Sequence, residues 1–240
     1  MANGHAAGAS TGSLADRAIQ AVVDHIRENR LRVGDTLPGE AYFSRSLCVS
    51  RAVTREAFGA LAALKLIDVG NGRKPRVAAL DGSVIATSVG HAVNTAQVSV
   101  AEVWDVRRTI EVRTASLAAT ARSDQEAAEI LALAHAMAKD KDDLPRMTGH
   151  DIAFHEAIAR ACHNALFVQI VTSFAPLMQK AVPAAWRTRT SETGRVLMIE
   201  RHQAVAQAIA DRDEAAAARA MNAHFDASIG DLLKADTNGG

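Results

Sequence analysis

Cysteine is scarce: Cys48 and Cys162 are the two in 240 residues, too far apart to form a thiolate pair for a metal. That scarcity points to a reduced, cytoplasmic setting. Long apolar runs are missing as well, so no membrane-spanning helix is expected. Met1 to Ser13 is small and polar and lacks the apolar core of a secretory signal, so residues 1–12 read as a disordered tail. Net charge is the third absence, with 27 Lys and Arg against 27 Asp and Glu. The balance conceals an asymmetry. Residues 1–80 carry 11 basic against 7 acidic side chains, and residues 81–240 carry 16 against 20. A mildly basic front suits a polyanionic partner. What is abundant is apolar material, 48% of the chain, enough for two domains with separate cores.

Within the basic front, Val49 to Leu61 has the pattern of a helix with two faces. Ser50 is placed to cap it. Val53, Ala57, Ala60 and Leu61 fall on one side, and Arg51 and Arg55, four apart, share the other. Guanidinium forks suit phosphate oxygens and the O6/N7 edge of guanine. Taken alone, the stretch equally describes a surface helix with two solvated arginines.

Its surroundings add to it. Ser13 can cap a first helix reaching about Asn29, with Leu14, Ala18, Ala21, Val22 and His25/Ile26 as its stripe. Gly34 and Pro38 break the chain, a short helix spans about Glu40 to Leu47, and Cys48-Val49-Ser50 makes a tight link. Two short helices joined by such a turn form a helix-turn-helix. Ile67-Asp68-Val69 and Pro75-Arg76-Val77-Ala78 read as strands around a turn carrying Gly72, Arg73 and Lys74, a hairpin wing with a basic tip.

Together these pieces resemble the winged helix-turn-helix domain of GntR-type bacterial transcription regulators. The matching segments are Gly34-Asp35-Thr36-Leu37-Pro38-Gly39-Glu40, Val49 to Ala57 and the Gly72 wing. The resemblance implies that Ser50, Arg51, Arg55 and Gly72, with Arg73 at the wing tip, contact operator DNA. Two positions depart from the family pattern. Ala41 stands where an arginine is usual, and Lys65 where a glycine is usual.

Residues 81–98 read as a linker with one short helix. Beyond it the sequence is helical throughout, in segments near 99–121, 123–139, 146–162, 165–182, 191–211 and 213–234, with breaks that include Leu144-Pro145 and Pro183. Alanine-rich helices with short links indicate an all-α bundle. Asp151 and His155 lie four apart on one helix, and His202 and His224 belong to two later ones. A carboxylate and three imidazoles suit Zn²⁺, Ni²⁺ or Mn²⁺. With nine histidines in the chain, some fall on suitable faces by chance, and spacing alone favours ordinary core or surface histidines.

Residues 99–234 resemble the FCD ligand-binding domain of the FadR-type branch. The carriers are Val106-Arg107-Arg108-Thr109-Ile110-Glu111, Asp151-x-x-x-His155 closing at Asn164, Glu200-Arg201-His202, and His224. The resemblance implies that Asp151, His155, His202 and His224 hold a divalent metal and that Arg107 binds the carboxylate of an organic or sugar acid. Trp186, in a stretch read as a loop, is either at the pocket mouth or a core or interface aromatic. Arg107 and Glu111 are also spaced to pair at the helix surface. His150 reads as solvated, as do Arg187, Arg189 and Arg195, although one of these arginines could reach a ligand.

The expected protein is therefore mainly α: a winged helix-turn-helix over 13–80, a linker, an FCD-like bundle over 99–234 and a short tail, 235–240. Its expected function is that of a homodimeric repressor on a palindromic operator, released by a small carboxylate bound at the metal. One alternative makes the ion itself the signal. The other, a metal-dependent hydrolase, lacks a glutamate placed between paired histidines as general base, so an enzyme is not expected.

Overall fold

The computed structural model describes residues 12–70 and 72–237; the expected tail at 1–12 lies outside them except for Gly12. The chain divides into two compact units after Val84.

The first unit holds α1 (Leu14–Glu28), α2 (Glu40–Ser46), α3 (Arg51–Ala63), β1 (Ile67–Asp68) and β2 (Arg76–Val77). Ser13 and Asp16 form a reciprocal cap that starts α1. Between α2 and α3 the chain turns tightly. Val49 donates its amide to Ser44 O at 3.1 Å and the Ser44 hydroxyl returns to Val49 O at 2.7 Å. β1 and β2 pair antiparallel, Ile67 with Val77 and Asp68 with Arg76. The Gly34–Leu37 stretch adds an edge through Thr36 opposite Arg76 and through Leu37 N to Pro75 O at 2.8 Å. Val22, Leu37, Phe43, Phe58, Leu61 and Ile67 close the core.

That core corrects the expected face of α3. Thr54, Ala57, Phe58 and Leu61 are buried, while Val53 and Ala60 are half-buried at its margins. Phe58 is the large side chain on this helix and meets Phe43 at 5.8 Å between ring centres, so the helix turns its aromatic inward. Arg51 and Arg55 remain on the exposed side.

Positive φ marks the ends of these helices. Cys48 follows α2 at φ 52° and Lys65 follows α3 at φ 57°. The position after a helix C-cap commonly turns left-handed, which favours glycine. Lys65 therefore occupies the slot where the family pattern has glycine, at some backbone strain.

The second unit begins within α4 (Ser83–Asn94), followed by α5 (Val100–Ala121), α6 (Asp124–Lys139), α7 (Leu144–Ala161), α8 (Ala165–Ser173), α9 (Ala175–Thr188), α10 (Glu192–Ala210) and α11 (Glu214–Thr237). The stretch read as a linker is largely α4, whose Val89 and Val93 pack on the bundle core. Each of the next breaks carries a cap: Ser99 with Glu102, Ser123 with Glu126, Asp143 with Pro145 in the first turn, Asn164, and Ser191. Buried Arg122 reaches Ile209 O and Ala210 O, satisfying carbonyls left open at the end of α10. α11 runs to Thr237, past the expected end at 234; residues 238–240 lie outside the described ones.

Two expectations near Pro183 are corrected. The chain bends by 52° between α8 and α9, where Pro176 enters the first turn of α9, and Pro183 lies inside that helix. A first-turn proline loses only an amide that has no intrahelical partner, so it marks a start. Trp186 is consequently a buried residue of α9 and not part of a loop. Among the described residues no single helix is long and apolar enough to cross a membrane.

Candidate functional site

In the second unit, four helices aim polar side chains into the apolar core. α7 supplies Asp151 and His155, α10 supplies His202, α11 supplies His224 and α5 supplies Arg107 and Glu111; all are buried. One ring nitrogen from each of the three histidines lies within 4.8 Å of the others. The His202 and His224 rings are 4.3 Å apart between centres. Asp151 Oδ1 lies 3.1 Å from His202 Nε2, but Asp151 is not among the ligand atoms that all lie within 4.8 Å of one another, so the structure brings three of the four expected ligands together and leaves the fourth beside one of them.

The hydrogen bonds orient these rings. His202 Nδ1 lies 2.9 Å from Met198 O, and a carbonyl only accepts, so Nδ1 carries the proton. In the neutral ring Nε2 is then a bare lone pair facing the Asp151 carboxylate. Two acceptors at that separation need a proton or a cation between them. His155 turns Nδ1 to Glu111 Oε2, which leaves its Nε2 for the cluster. The Nδ1 of His224 is buried with no hydrogen-bond partner among the described residues. Backbone carbonyls and carboxylates behind imidazoles are the usual way in which metal-binding histidines are held. The donor set therefore fits a divalent ion. Ligand nitrogens on tetrahedral zinc stand roughly 3.4 Å apart, given bonds of about 2.0–2.1 Å, so closure around an ion needs only a small inward movement.

With no ion bound, a proton can fill the gap between His202 Nε2 and Asp151, and the electrostatics are those of that protonated cluster. Burial alone would raise the Asp151 carboxyl, but the His202 hydrogen bond and the charges of His155, His202 and Arg107 outweigh it and hold it down to about 2. Burial pushes the His224 imidazole well below the ordinary histidine value, and the charges of His202 and His155 push it further, which keeps it neutral and able to ligate.

Arg107 is 3% exposed and its Nε donates to Glu111 Oε1 at 2.7 Å, Glu111 being 1% exposed. The pair forms as i,i+4 spacing allows, but in the core instead of at the surface. Burial would raise the Glu111 carboxyl; Arg107 and His155 overcome that and keep it below the usual range. Glu111 thus accepts from Arg107 through Oε1 and sets Oε2 against His155 Nδ1. Arg107 also lies over the Trp104 ring at 4.6 Å and its Nη1 meets Met178 Sδ. A thioether is a weak acceptor, so this arm of the guanidinium is poorly partnered.

Asp151, the three histidines, Arg107 and Trp104 border a cavity of about 30 Å³, whose wall includes Trp186 and Arg189. Arg189, expected in solvent, lies 5.4 Å over the Trp186 ring, and Arg195 donates to its carbonyl at 3.1 Å. His150, also expected in solvent, is 2.9 Å from Asp140 Oδ2. The sequence reading missed Glu111 and Trp104 as parts of the site. Their signal was present, since Trp104, Arg107 and Glu111 stand at helical spacing on one face of α5.

In the first unit the residues expected to contact DNA are exposed. Ser50 accepts the Val53 amide at 3.3 Å as the cap of α3, which leaves its hydroxyl proton for an outside acceptor. Arg55, with 77% of its side chain exposed, is 3.8 Å from Glu40. Such a loose surface pair contributes about 0–1 kcal/mol and yields readily to phosphate. Gly72 has φ 70°, a left-handed turn that glycine takes without strain, and Arg73 beside it reaches Asp68 at 3.8 Å. Ala41 is exposed in the first turn of α2 and offers no cation there.

Known proteins complete the identification. Residues 14–77 match the family described as "Bacterial regulatory proteins, gntR family", and residues 102–227, more than half of the chain, match the "FCD domain". The chain is 26% identical to the HTH-type transcriptional regulator LutR of Bacillus subtilis over 87% of its length and 95% of that protein's. It is 29% identical to the Glc operon transcriptional activator of Escherichia coli, covering 81% of this chain and 79% of that one. To the Galactonate operon transcriptional repressor of the same species it is 25% identical, over 85% and 90%. A Streptococcus agalactiae GntR structure superposes with a TM-score of 0.64 at 19% identity, covering 90% of this chain and 99% of that one, which shows the shared fold. The chain belongs to the GntR family of bacterial regulatory proteins with a C-terminal FCD domain: it is a DNA-binding transcriptional regulator with an effector-binding domain, and not an enzyme.

Proposed function

We propose that this protein is a repressor whose operator affinity is set by a small carboxylate bound at a divalent ion in the bundle. The observation that carries the reading is the convergence of Asp151, His155, His202, His224 and Arg107 on one cavity. Asp151 and the three imidazoles would hold the ion, with Zn²⁺ favoured by the nitrogen-rich set and Ni²⁺ or Mn²⁺ compatible with it. A bound divalent ion supplies a Lewis-acid anchor for carboxylate oxygens. Arg107 supplies the second anchor. The incoming carboxylate replaces Met178 at Nη1, a charged acceptor for a thioether. Glu111 keeps Arg107 and His155 oriented in both states. Trp186, on the cavity wall, shields the bound acid from solvent.

Ser50, Arg51, Arg55, Gly72 and Arg73 would contact the operator. Two copies of α3 one helical turn apart would read a palindrome, which makes the working unit a homodimer. Acid binding changes operator affinity only by as much as it binds the DNA-competent and incompetent arrangements differently.

The size of the cavity favours a second reading, in which the ion alone is the signal. About 30 Å³ admits an ion or a water, and an organic acid requires the wall to move. Fluorescence anisotropy on a palindromic operator fragment separates the two. In the first reading an acid shifts affinity only when metal is present; in the second, chelation shifts affinity and no acid does. No response to either would overturn both.

A further inference from the structure

The cavity wall beyond the charged cluster is hydrocarbon and thioether except at Ser228 and at Arg189, whose guanidinium lies over the Trp186 ring and is already engaged. Met137, Met147, Val182, Ala185, Met198 and Ile199 line it. Every methionine after Met1 is buried in the bundle, three of the five line this cavity, and a fourth, Met178, touches Arg107. Unbranched thioethers rotate easily, so such a wall can yield to a ligand larger than the resting space. Polar groups on the same wall are few. The Ser228 hydroxyl is already donated to His224 O at 2.8 Å. A polyhydroxylated remainder would bring several donors and acceptors into this space and leave them without partners, which disfavours binding.

One donor on the wall is unused. Trp104 is 5% exposed and lines the cavity, and its Nε1 is buried with no hydrogen-bond partner among the described residues. Buried indole N–H groups normally find an acceptor. This one belongs to the ring on which Arg107 rests, so it sits beside the anchor assigned to the carboxylate.

We propose that the effector is a carboxylate with a hydrocarbon, not a hydroxylated, remainder, and that Trp104 Nε1–H donates a hydrogen bond to it. This rests on the carboxylate-effector reading above and narrows it. Trp104 acts as a specificity residue and Met137, Met147 and Met198 as the adaptable seat of the apolar end.

The test uses the full-length zinc-loaded protein and three acids with the same head, a carboxylate beside a hydroxyl: glycolate, 2-hydroxyisocaproate and gluconate. Dissociation constants come from calorimetry, checked by thermal shift. The expected result is at least tenfold tighter binding of 2-hydroxyisocaproate than of either other acid. Equal or tighter binding of gluconate or glycolate overturns the proposal and leaves the carboxylate reading standing. Binding of none overturns both. Trp104→Phe keeps a ring under Arg107 and removes the N–H. It should weaken 2-hydroxyisocaproate about tenfold while metal content and the melting temperature without acid stay close to those of the wild type. Unchanged affinity in a folded Trp104→Phe overturns the indole's role. If that variant does not fold, the three-acid comparison on the wild type still decides the ligand class.

Discussion

The two units deploy charge in opposite ways. In the winged unit the cations proposed to contact DNA are exposed, loosely paired and attached to a core that does not use them: Arg55 reaches Glu40 at 3.8 Å and Arg73 reaches Asp68 at 3.8 Å. In the bundle the groups proposed to bind metal and acid are themselves core. Arg107, Glu111, Asp151, His155, His202 and His224 are buried among Phe154, Phe225 and the methionines. An exposed cation can be removed with little effect on folding, whereas a buried one leaves a partner stranded in low dielectric. Function and stability are therefore separable in the first unit and entangled in the second.

The largest expected effect tests that entanglement. Glu111→Leu strips Arg107 of its counter-charge and His155 of its acceptor. Urea unfolding of the metal-free protein should show a loss of about 3–5 kcal/mol, the usual effect of breaking a buried ion pair on one side. A loss under about 1 kcal/mol would mean that the pair is not buried in solution. His202→Ala should then abolish stoichiometric metal, read by elemental analysis after dialysis. Its effect should exceed the roughly 10–100-fold typical of losing a group that merely orients a ligand. Full retention of metal would remove His202 from the set.

At the exposed end, Arg51→Ala and Arg55→Ala should each weaken operator binding by about 1–3 kcal/mol if they read bases, or reduce the salt slope by about one if they touch phosphate. Their unfolding free energies should stay within about 0.5 kcal/mol of the wild type. Wild-type DNA affinity and salt slope in both variants would show that α3 is not the reader. A smaller effect is expected at Lys65, whose φ of 57° suits glycine. Lys65→Gly should stabilise the winged unit by about 1 kcal/mol, the difference between left-handed strain and glycine's entropy, seen as a raised urea midpoint.

The pH dependence also separates the units. Burial depresses the His224 imidazole in the fold, so the unfolded chain takes up that proton first as pH falls below about 6.5. Stability of the metal-free bundle should be flat above that pH and decline below it. Asp151 adds a loss at lower pH. Its carboxyl is held down to about 2 from the ordinary 3.8, so its contribution is complete above 3.8 and disappears as pH falls from there toward 2. In His224→Gln the decline between about pH 6.5 and 4 should be shallower. An unchanged slope would assign the titration elsewhere.

The same contrast explains what the sequence could disclose. The winged unit is written locally: a cap at Ser50, a left-handed glycine at Gly72 and arginines four apart are all short-range signals. Even there the spacing gives only part of the core face of α3: Ala57 and Leu61 are buried as expected, but Phe58 turns inward to meet Phe43 across a turn that spacing does not show. In the bundle, only the i,i+4 pair Asp151 and His155 is local. That His202 and His224 join it depends on how α7, α10 and α11 pack, which the resemblance supplied and periodicity could not. Arg107 and Glu111 were spaced to pair, but whether that pair faces water or core is a tertiary fact. Trp186 was placed in a loop because Pro183 resembled a break, whereas the bend lies at Pro176, where a helix starts.

The most direct measurement is operator affinity against acid concentration, for the wild type and for Arg107→Met, each with and without a chelator. A buried metal and guanidinium seat predicts that 2-hydroxyisocaproate shifts operator affinity of the metal-loaded wild type, and that either chelation or Arg107→Met removes the shift while ligand-free DNA binding by Arg107→Met persists. A full shift that survives both changes would contradict it.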